Sequence, residues 1–111
     1  MERPLLFAII VLFPCSIALP FRPHWVVWNV GQGEWVTQVL ADRCLHFDMG
    51  GEKWPRAKIR EACGRKLNFA FFSHWDWDHV GFAGKARSLL PRICLAAAPL
   101  GKASKRKHAL F

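Results

Sequence analysis

One stretch decides the fold expected of this chain, Ser73-His74-Trp75-Asp76-Trp77-Asp78-His79-Val80-Gly81. It places four potential metal ligands, two histidines and two aspartates, within six residues. An apolar run over residues 67–72 precedes it and predicts a buried strand. The ligands therefore follow the carboxyl end of that strand, which is a common location for a site in layered α/β structures.

The residue types in this stretch indicate a metal site. Imidazole suits zinc, iron or manganese, and carboxylate shifts the preference toward harder ions. In an extended loop, His74, Asp76 and Asp78 face one way and the two intervening indoles face the other. His79 can then turn toward a second ion. Solvated turn residues are the alternative for a single His-x-Asp pair, but four ligand types so close together favour a site.

The spacing Ser-His-x-Asp-x-Asp-His-x-Gly resembles the first metal motif of the metallo-β-lactamase fold. Asp76 replaces the second histidine of the usual His-x-His-x-Asp-His form, as in the ComEC-type competence proteins. Two upstream stretches are also similar to motifs of that subfamily, Asn29-Val30-Gly31-Gln32-Gly33-Glu34 and His46-Phe47-Asp48-Met49-Gly50-Gly51. The resemblance covers about residues 25–99, and we assign residues 24–99 to the N-terminal half of such a domain.

The resemblance implies a fold and a set of site residues. The fold is an αββα sandwich of two similar halves, of which this α+β chain matches the first half, a mixed sheet with two helices. The implied ligands of zinc or manganese, one or two ions, are His74, Asp76, Asp78 and His79. Asp78 is also the implied catalytic residue that orients water, and Asp48 orients a ligating histidine. Without the resemblance, Asp48 is equally well interpreted as a turn residue at the end of a strand. The residues implied to shape the neighbouring loop are Gly31, Gln32 and Gly33.

The implied activity is metal-dependent hydrolysis of a phosphodiester, with DNA at the cell surface as substrate in competence-related DNA uptake. The later His and Asp motifs that complete the family's sites have no counterpart here. Two protein ligands per ion predict weak binding, and we expect a truncated product or one half of a split domain. The alternatives are a non-catalytic remnant, a nucleic-acid-binding module that uses the basic tail with Trp75 and Trp77, or a half-domain that self-associates or assembles with another chain. Indoles packed in the core beside a solvated tail are the plainer expectation.

The chain ends differ in composition from its middle. With 111 residues it is long enough for one small domain, and four of its +8 net charges lie in residues 100–111, a basic tail that we expect to be frayed. Residues 1–18 predict a signal peptide cleaved after Ala18, hence an exported periplasmic or extracellular protein. An uncleaved membrane anchor through Phe21 is the alternative.

Apolar patterning and turn residues predict the elements between these ends. We expect strands over residues 24–30, 35–40, 44–47, 67–73 and 92–98, the first two as a hairpin, and helices over 52–64 and 81–90. Pro55 suits a helix start, and Gly64 suits its end. Beyond the signal, Cys44, Cys63 and Cys94 are expected to be buried apolar residues. One disulfide between two of these three cysteines is possible, and the sequence does not determine which two form it.

Overall fold

The computed structural model describes residues 20–110, so the predicted signal peptide and all but the last two residues of the alternative anchor lie outside the described part. A five-stranded sheet forms the centre of the domain, with its strands in sequence order. They are β1 (His24–Val27), β2 (Val36–Val39), β3 (Arg43–Phe47), β4 (Leu67–Phe71) and β5 (Ile93–Ala97). The first three strands are antiparallel and the last three are parallel, so the predicted hairpin and the predicted mixed sheet are confirmed.

At least one helix follows each of the three parallel strands. The helices are α1 (Arg56–Cys63), α2 (Trp77–Val80), α3 (Ala83–Leu89) and α4 (Lys105–His108). The two longer helices, α1 and α3, were predicted, and Pro55 and Gly64 flank α1 as expected. The single turns α2 and α4 were not predicted. Within residues 20–110, no helix combines the length and the apolar character needed to cross a bilayer.

The core lies on one face of the sheet, where α1 and α3 pack. Exposure alternates along β2, β3 and β4, so every second side chain is buried. Large rings fill the interior; Trp35 is 1% exposed and its ring centroid lies 6.2 Å from that of Phe82. Within residues 20–110, no helix packs on the opposite face, and Trp25, Val27 and Phe47 are exposed there. One face of this small domain is therefore closed, and the other is open and apolar.

A buried polar network crosses the core at His46. The Trp35 indole donates to His46 Nδ1 (3.2 Å), so that nitrogen is an acceptor, and it also lies 2.8 Å from the Thr37 hydroxyl. Nε2–H then donates to the Asn68 side-chain oxygen (2.8 Å). Burial lowers the pKa of His46 to about 4, although the hydrogen bond to Asn68 opposes this shift. His46 is therefore a neutral, fully satisfied core residue.

A disulfide joins β3 to α1. Cys44 and Cys63 form it, and both are completely buried. The expectation that all three cysteines are buried apolar residues is wrong for Cys94, which is free and exposed because it lies on the open side of the edge strand β5. The disulfide closes a loop across the layer between sheet and helix.

The basic tail contains a helical turn, which differs from the expectation of a frayed end, while most of its charged side chains are exposed as expected. Ser104 precedes α4, and its hydroxyl accepts a hydrogen bond from the Lys107 backbone N–H (3.3 Å), which is a usual N-terminal cap. Leu110 packs against the core. A single apolar side chain thus anchors a segment whose composition is otherwise polar.

Candidate metal centre

Asp48 lies where β3 ends beside β4. Its backbone N–H donates to the Phe71 carbonyl (2.8 Å), which extends the parallel pairing by one residue. Its φ of 56° is in the left-handed region, where Asp is one of the few non-glycine residues found with any frequency. The side chain is 5% exposed. The local turn thus holds one carboxylate against the loop that follows the neighbouring strand.

The Asp48 carboxylate organises Ser73 and His79. One oxygen, Oδ1, accepts the Ser73 backbone N–H (2.7 Å). The other, Oδ2, accepts the Ser73 hydroxyl (2.5 Å) and lies 2.9 Å from His79 Nδ1. The contact implied by the resemblance, between Asp48 and a histidine of the motif, is present.

These contacts determine which nitrogen of each imidazole carries the proton. The only hydrogen of the Ser73 hydroxyl goes to Asp48, so the 2.9 Å contact with His74 needs Nδ1–H of His74 as donor. His79 likewise donates Nδ1–H to Asp48. In their neutral forms both rings keep Nε2 as a lone-pair atom. The ring centroids are 4.7 Å apart. One carboxylate therefore prepares two imidazoles as ligands, directly and through one hydroxyl.

Acidic groups surround His79. Asp78 Oδ1 lies 3.8 Å from His79 Nε2, and Glu34 Oε2 lies 3.6 Å from Nδ1. Partial burial lowers the pKa of His79, but the hydrogen bond to Asp48 and the charges of Asp48, Asp78 and Glu34 outweigh it, so the net shift is upward. The site attracts positive charge, whether a proton or a metal ion.

Glycines allow the three sequence motifs to meet. A Cβ at Gly50 would lie 2.1 Å from the Asp78 carbonyl carbon, and one at Gly33 would lie 2.3 Å from Gly51 Cα. The Glu34 backbone N–H donates to the Asp78 carbonyl (2.9 Å) across the same contact. Side chains at these positions would separate the loops, so the glycines permit the close approach.

The loop does not have the extended form expected from sequence. Residues 77–80 form the helical turn α2, with the backbone N–H of Gly81 donating to the Trp77 carbonyl (2.8 Å). The alternating arrangement of ligands and indoles is therefore wrong at Asp78. Within the described residues, no ion pair joins His74 to Asp76. The helical turn instead places Asp78 and His79 together.

The acidic cluster at His79 includes a residue that sequence reasoning did not assign. Ligand atoms of Glu34, Asp48 and His79 lie within 4.8 Å of one another, whereas no such group within residues 20–110 includes His74, Asp76 or Asp78. Glu34 is the last residue of the motif over residues 29–34, and its place in that motif is the sequence signal that could have identified it. A second group, Cys44, His46 and Cys63, meets the same distance criterion, but its sulfurs are joined in the disulfide.

The donor atoms fit a divalent ion in part. Nitrogen and carboxylate oxygen suit zinc or manganese, and tetrahedral ligands about 2.1 Å from an ion are about 3.4 Å apart. The His79 Nε2 to Asp78 Oδ1 distance of 3.8 Å is slightly wider than that. A small rotation of the exposed Asp78 side chain would close the difference.

Comparison of the chain with protein-family models, curated proteins and solved structures gives no match. The resemblance to the metallo-β-lactamase fold therefore stays an expectation from the three sequence motifs.

Proposed function

We propose that this chain carries a metal-dependent hydrolase centre of the metallo-β-lactamase type, ComEC-like, that acts on phosphodiesters such as DNA. The observation that carries the proposal is the network in which Asp48 holds His79 directly and His74 through Ser73. Orientation of histidine ligands by a buried carboxylate is a recurrent feature of metal sites, and no packing requirement explains two imidazoles prepared in this way.

Each residue has a separate role in this proposal. His79 Nε2 and Asp78 Oδ1 would hold a zinc or manganese ion, and the neighbouring imidazole is that of His74, with its ring centroid 4.7 Å from that of His79. Asp48 positions the rings, and Asp78 also orients the attacking water. When bound, the ion supplies Lewis acidity at a phosphoryl oxygen. Asp76, an exposed residue of the same loop, is not one of the two ligands in this proposal.

The disulfide bears on the compartment. Cys44 and Cys63 are joined, and structural disulfides persist mainly in oxidising environments. This agrees with an exported protein, which would meet extracellular DNA.

Metal titration tests the proposal. Calorimetry with Zn²⁺ and with Mn²⁺ should show weak binding by the parent chain that is abolished in His79→Ala and Asp78→Ala. Asp48→Asn keeps the side-chain size but removes the carboxylate that accepts from His79, so affinity should fall about 10- to 100-fold.

His24→Ala is the matched control, because His24 is exposed and its ring contacts the Arg22 carbonyl (2.9 Å) and the Phe21 ring, neither of which belongs to the candidate centre. This variant should bind the metal as the parent does. Equal affinity in the parent chain and His79→Ala would place the metal elsewhere and end the proposal.

The second candidate is a half-domain without catalytic activity that assembles with another chain. The open apolar face of the sheet favours it, since Trp25, Val27 and Phe47 are exposed there. Metal binding without any hydrolysis of DNA would favour this candidate over the first.

A further inference from the structure

The C-terminal helix α4 packs beside the candidate metal loop. Leu110 lines an apolar pocket with Met49, Phe72 and Ala83, and its side chain lies 3.5 Å from the position of a Cβ on Gly84. The His108 ring lies 5.0 Å from that of Trp75, centroid to centroid. These contacts hold the tail at residues 73–79 by packing as well as by charge.

Two cations of the tail lie over one indole of the loop. The Arg106 guanidinium carbon is 5.1 Å from the ring centroid of Trp77, and the Lys107 ammonium is 5.2 Å from it. These distances are within the range of cation–π attraction. Trp77 remains 43% exposed, so the contact lies at the surface. Within residues 20–110, neither cation has a carboxylate within 4.0 Å.

Cations at this position offset the negative charge of the loop. Asp76, Asp78 and Glu34 are exposed carboxylates, and together they repel a polyanion that approaches the centre. Arg106 and Lys107 bring two positive charges to the same surface, with no charged partner in the described part of the chain. A guanidinium over an indole keeps its in-plane N–H groups available, and those groups match phosphate oxygens.

We propose that Arg106 and Lys107 form a phosphate-binding element that holds a single-stranded nucleic acid along residues 73–79. In this arrangement the backbone phosphates of the nucleic acid contact Arg106 and Lys107, and the scissile phosphodiester lies toward His79. The inference depends on the proposed function for its choice of polyanion. The contacts that support it involve no metal ligand.

Binding without metal tests the inference. Fluorescence anisotropy would follow the full chain with a labelled oligothymidylate of about 20 nucleotides, in EDTA and over a range of salt concentrations. In Arg106→Gln/Lys107→Gln, affinity should fall on the order of tenfold at low salt. The slope of log K against log salt should decrease by about 1.4, which corresponds to two lost phosphate contacts. Because metal is absent, a failed metal site leaves this readout unaffected.

The matched control is Lys58→Gln/Arg92→Gln, which removes the same charge from exposed positions on other elements. It should change the affinity less than twofold at the same salt. Equal losses in the two double variants would show only a net-charge effect and would overturn the inference.

A second variant separates position from charge. Leu110→Ser keeps every cation but removes the apolar anchor of α4, so it should lose part of the affinity while near-ultraviolet circular dichroism shows the core intact. Unchanged binding in this variant would contradict a positioned element. Vesicles of phosphatidylglycerol serve as the competing polyanion. If the Arg106/Lys107 variant loses vesicle binding and keeps oligonucleotide binding, the surface is a membrane contact and the inference is wrong.

Discussion

Asp48 is the residue on which the geometry of the centre depends. Its two oxygens accept two hydrogen bonds from Ser73 and one from His79, and the group is nearly buried. A carboxylate that accepts several hydrogen bonds is held in one orientation. The motif around Asp48 was sufficient to predict its contact with a histidine. The role of Ser73 as a bridge to His74 was not predictable, because a serine in a loop has many other partners.

At His46, the lowered pKa predicts a pH-dependent stability. The folded-state pKa is about 4 against an ordinary value of 6.5, so below pH 6.5 the unfolded chain takes up a proton that the folded chain does not. The free energy of unfolding should therefore fall as pH decreases, by about 2 kcal/mol between pH 6.5 and 5 and roughly 3 kcal/mol in all. Urea unfolding at several pH values measures it.

Two comparisons isolate this effect. The raised pKa of His79 acts in the opposite direction and above pH 6.5, so it leaves the lower window to His46. His46→Phe should be less stable throughout but should lose the pH slope, whereas His24→Ala should keep it. A slope that survives in His46→Phe would assign the effect to other groups.

Among the elements, α2 shows where local patterning was insufficient. Four residues span barely one helical turn, too short for an apolar period to be seen. The turn forms because Val80 is fully buried, the Met49 backbone N–H donates to the His79 carbonyl (2.7 Å), and Gly50 leaves room for the Asp78 backbone. Composition was also insufficient for the basic tail, because it predicted only solvated charges. The contacts of Leu110 join residues that are distant in sequence.

The link between β3 and α1 predicts a redox-dependent stability. The Cys44–Cys63 disulfide spans a sequence separation of 19, for which loop-closure entropy predicts a contribution of about 3 kcal/mol. Cys94→Ser, which removes the exposed free thiol, should unfold in urea at the parent midpoint. Adding a reducing agent to that variant should lower the midpoint. Coincident transitions with and without reductant would show that the disulfide contributes nothing.

For the molecule as a whole, much of the architecture was predictable from sequence. All five strands and both longer helices were predicted near their observed positions, because Gly31, Gly33, Gly64 and Pro91 mark their ends. The disulfide pair was not predictable, because pairing depends on where β3 and α1 meet. The same limit applied to Glu34, whose approach to His79 is a tertiary contact.

The two residues proposed to hold the metal ion, Asp78 and His79, predict slow catalysis by the isolated chain. The described residues bring only Asp78 close to the free nitrogen of His79, whereas a catalytic ion usually has three protein ligands. We therefore expect little release of acid-soluble nucleotides from single-stranded DNA with zinc or manganese. His79→Ala gives the background rate. Rapid turnover by the parent that is lost in this variant would show that the residues present are sufficient.

The strand order has a consequence for the way the chain assembles. The strands β1 to β5 lie side by side in the order in which they are synthesised. Each new strand can therefore pair with the strand that precedes it in the sequence, and few residues remain unpaired in the meantime. A chain emerging from a ribosome or a translocation pore can therefore add one strand at a time. The histidine loop arrives after its supporting turn at Asp48, and α4 is the last to dock. Until it does, the Trp77 ring lacks the two cations that lie over it in the folded chain.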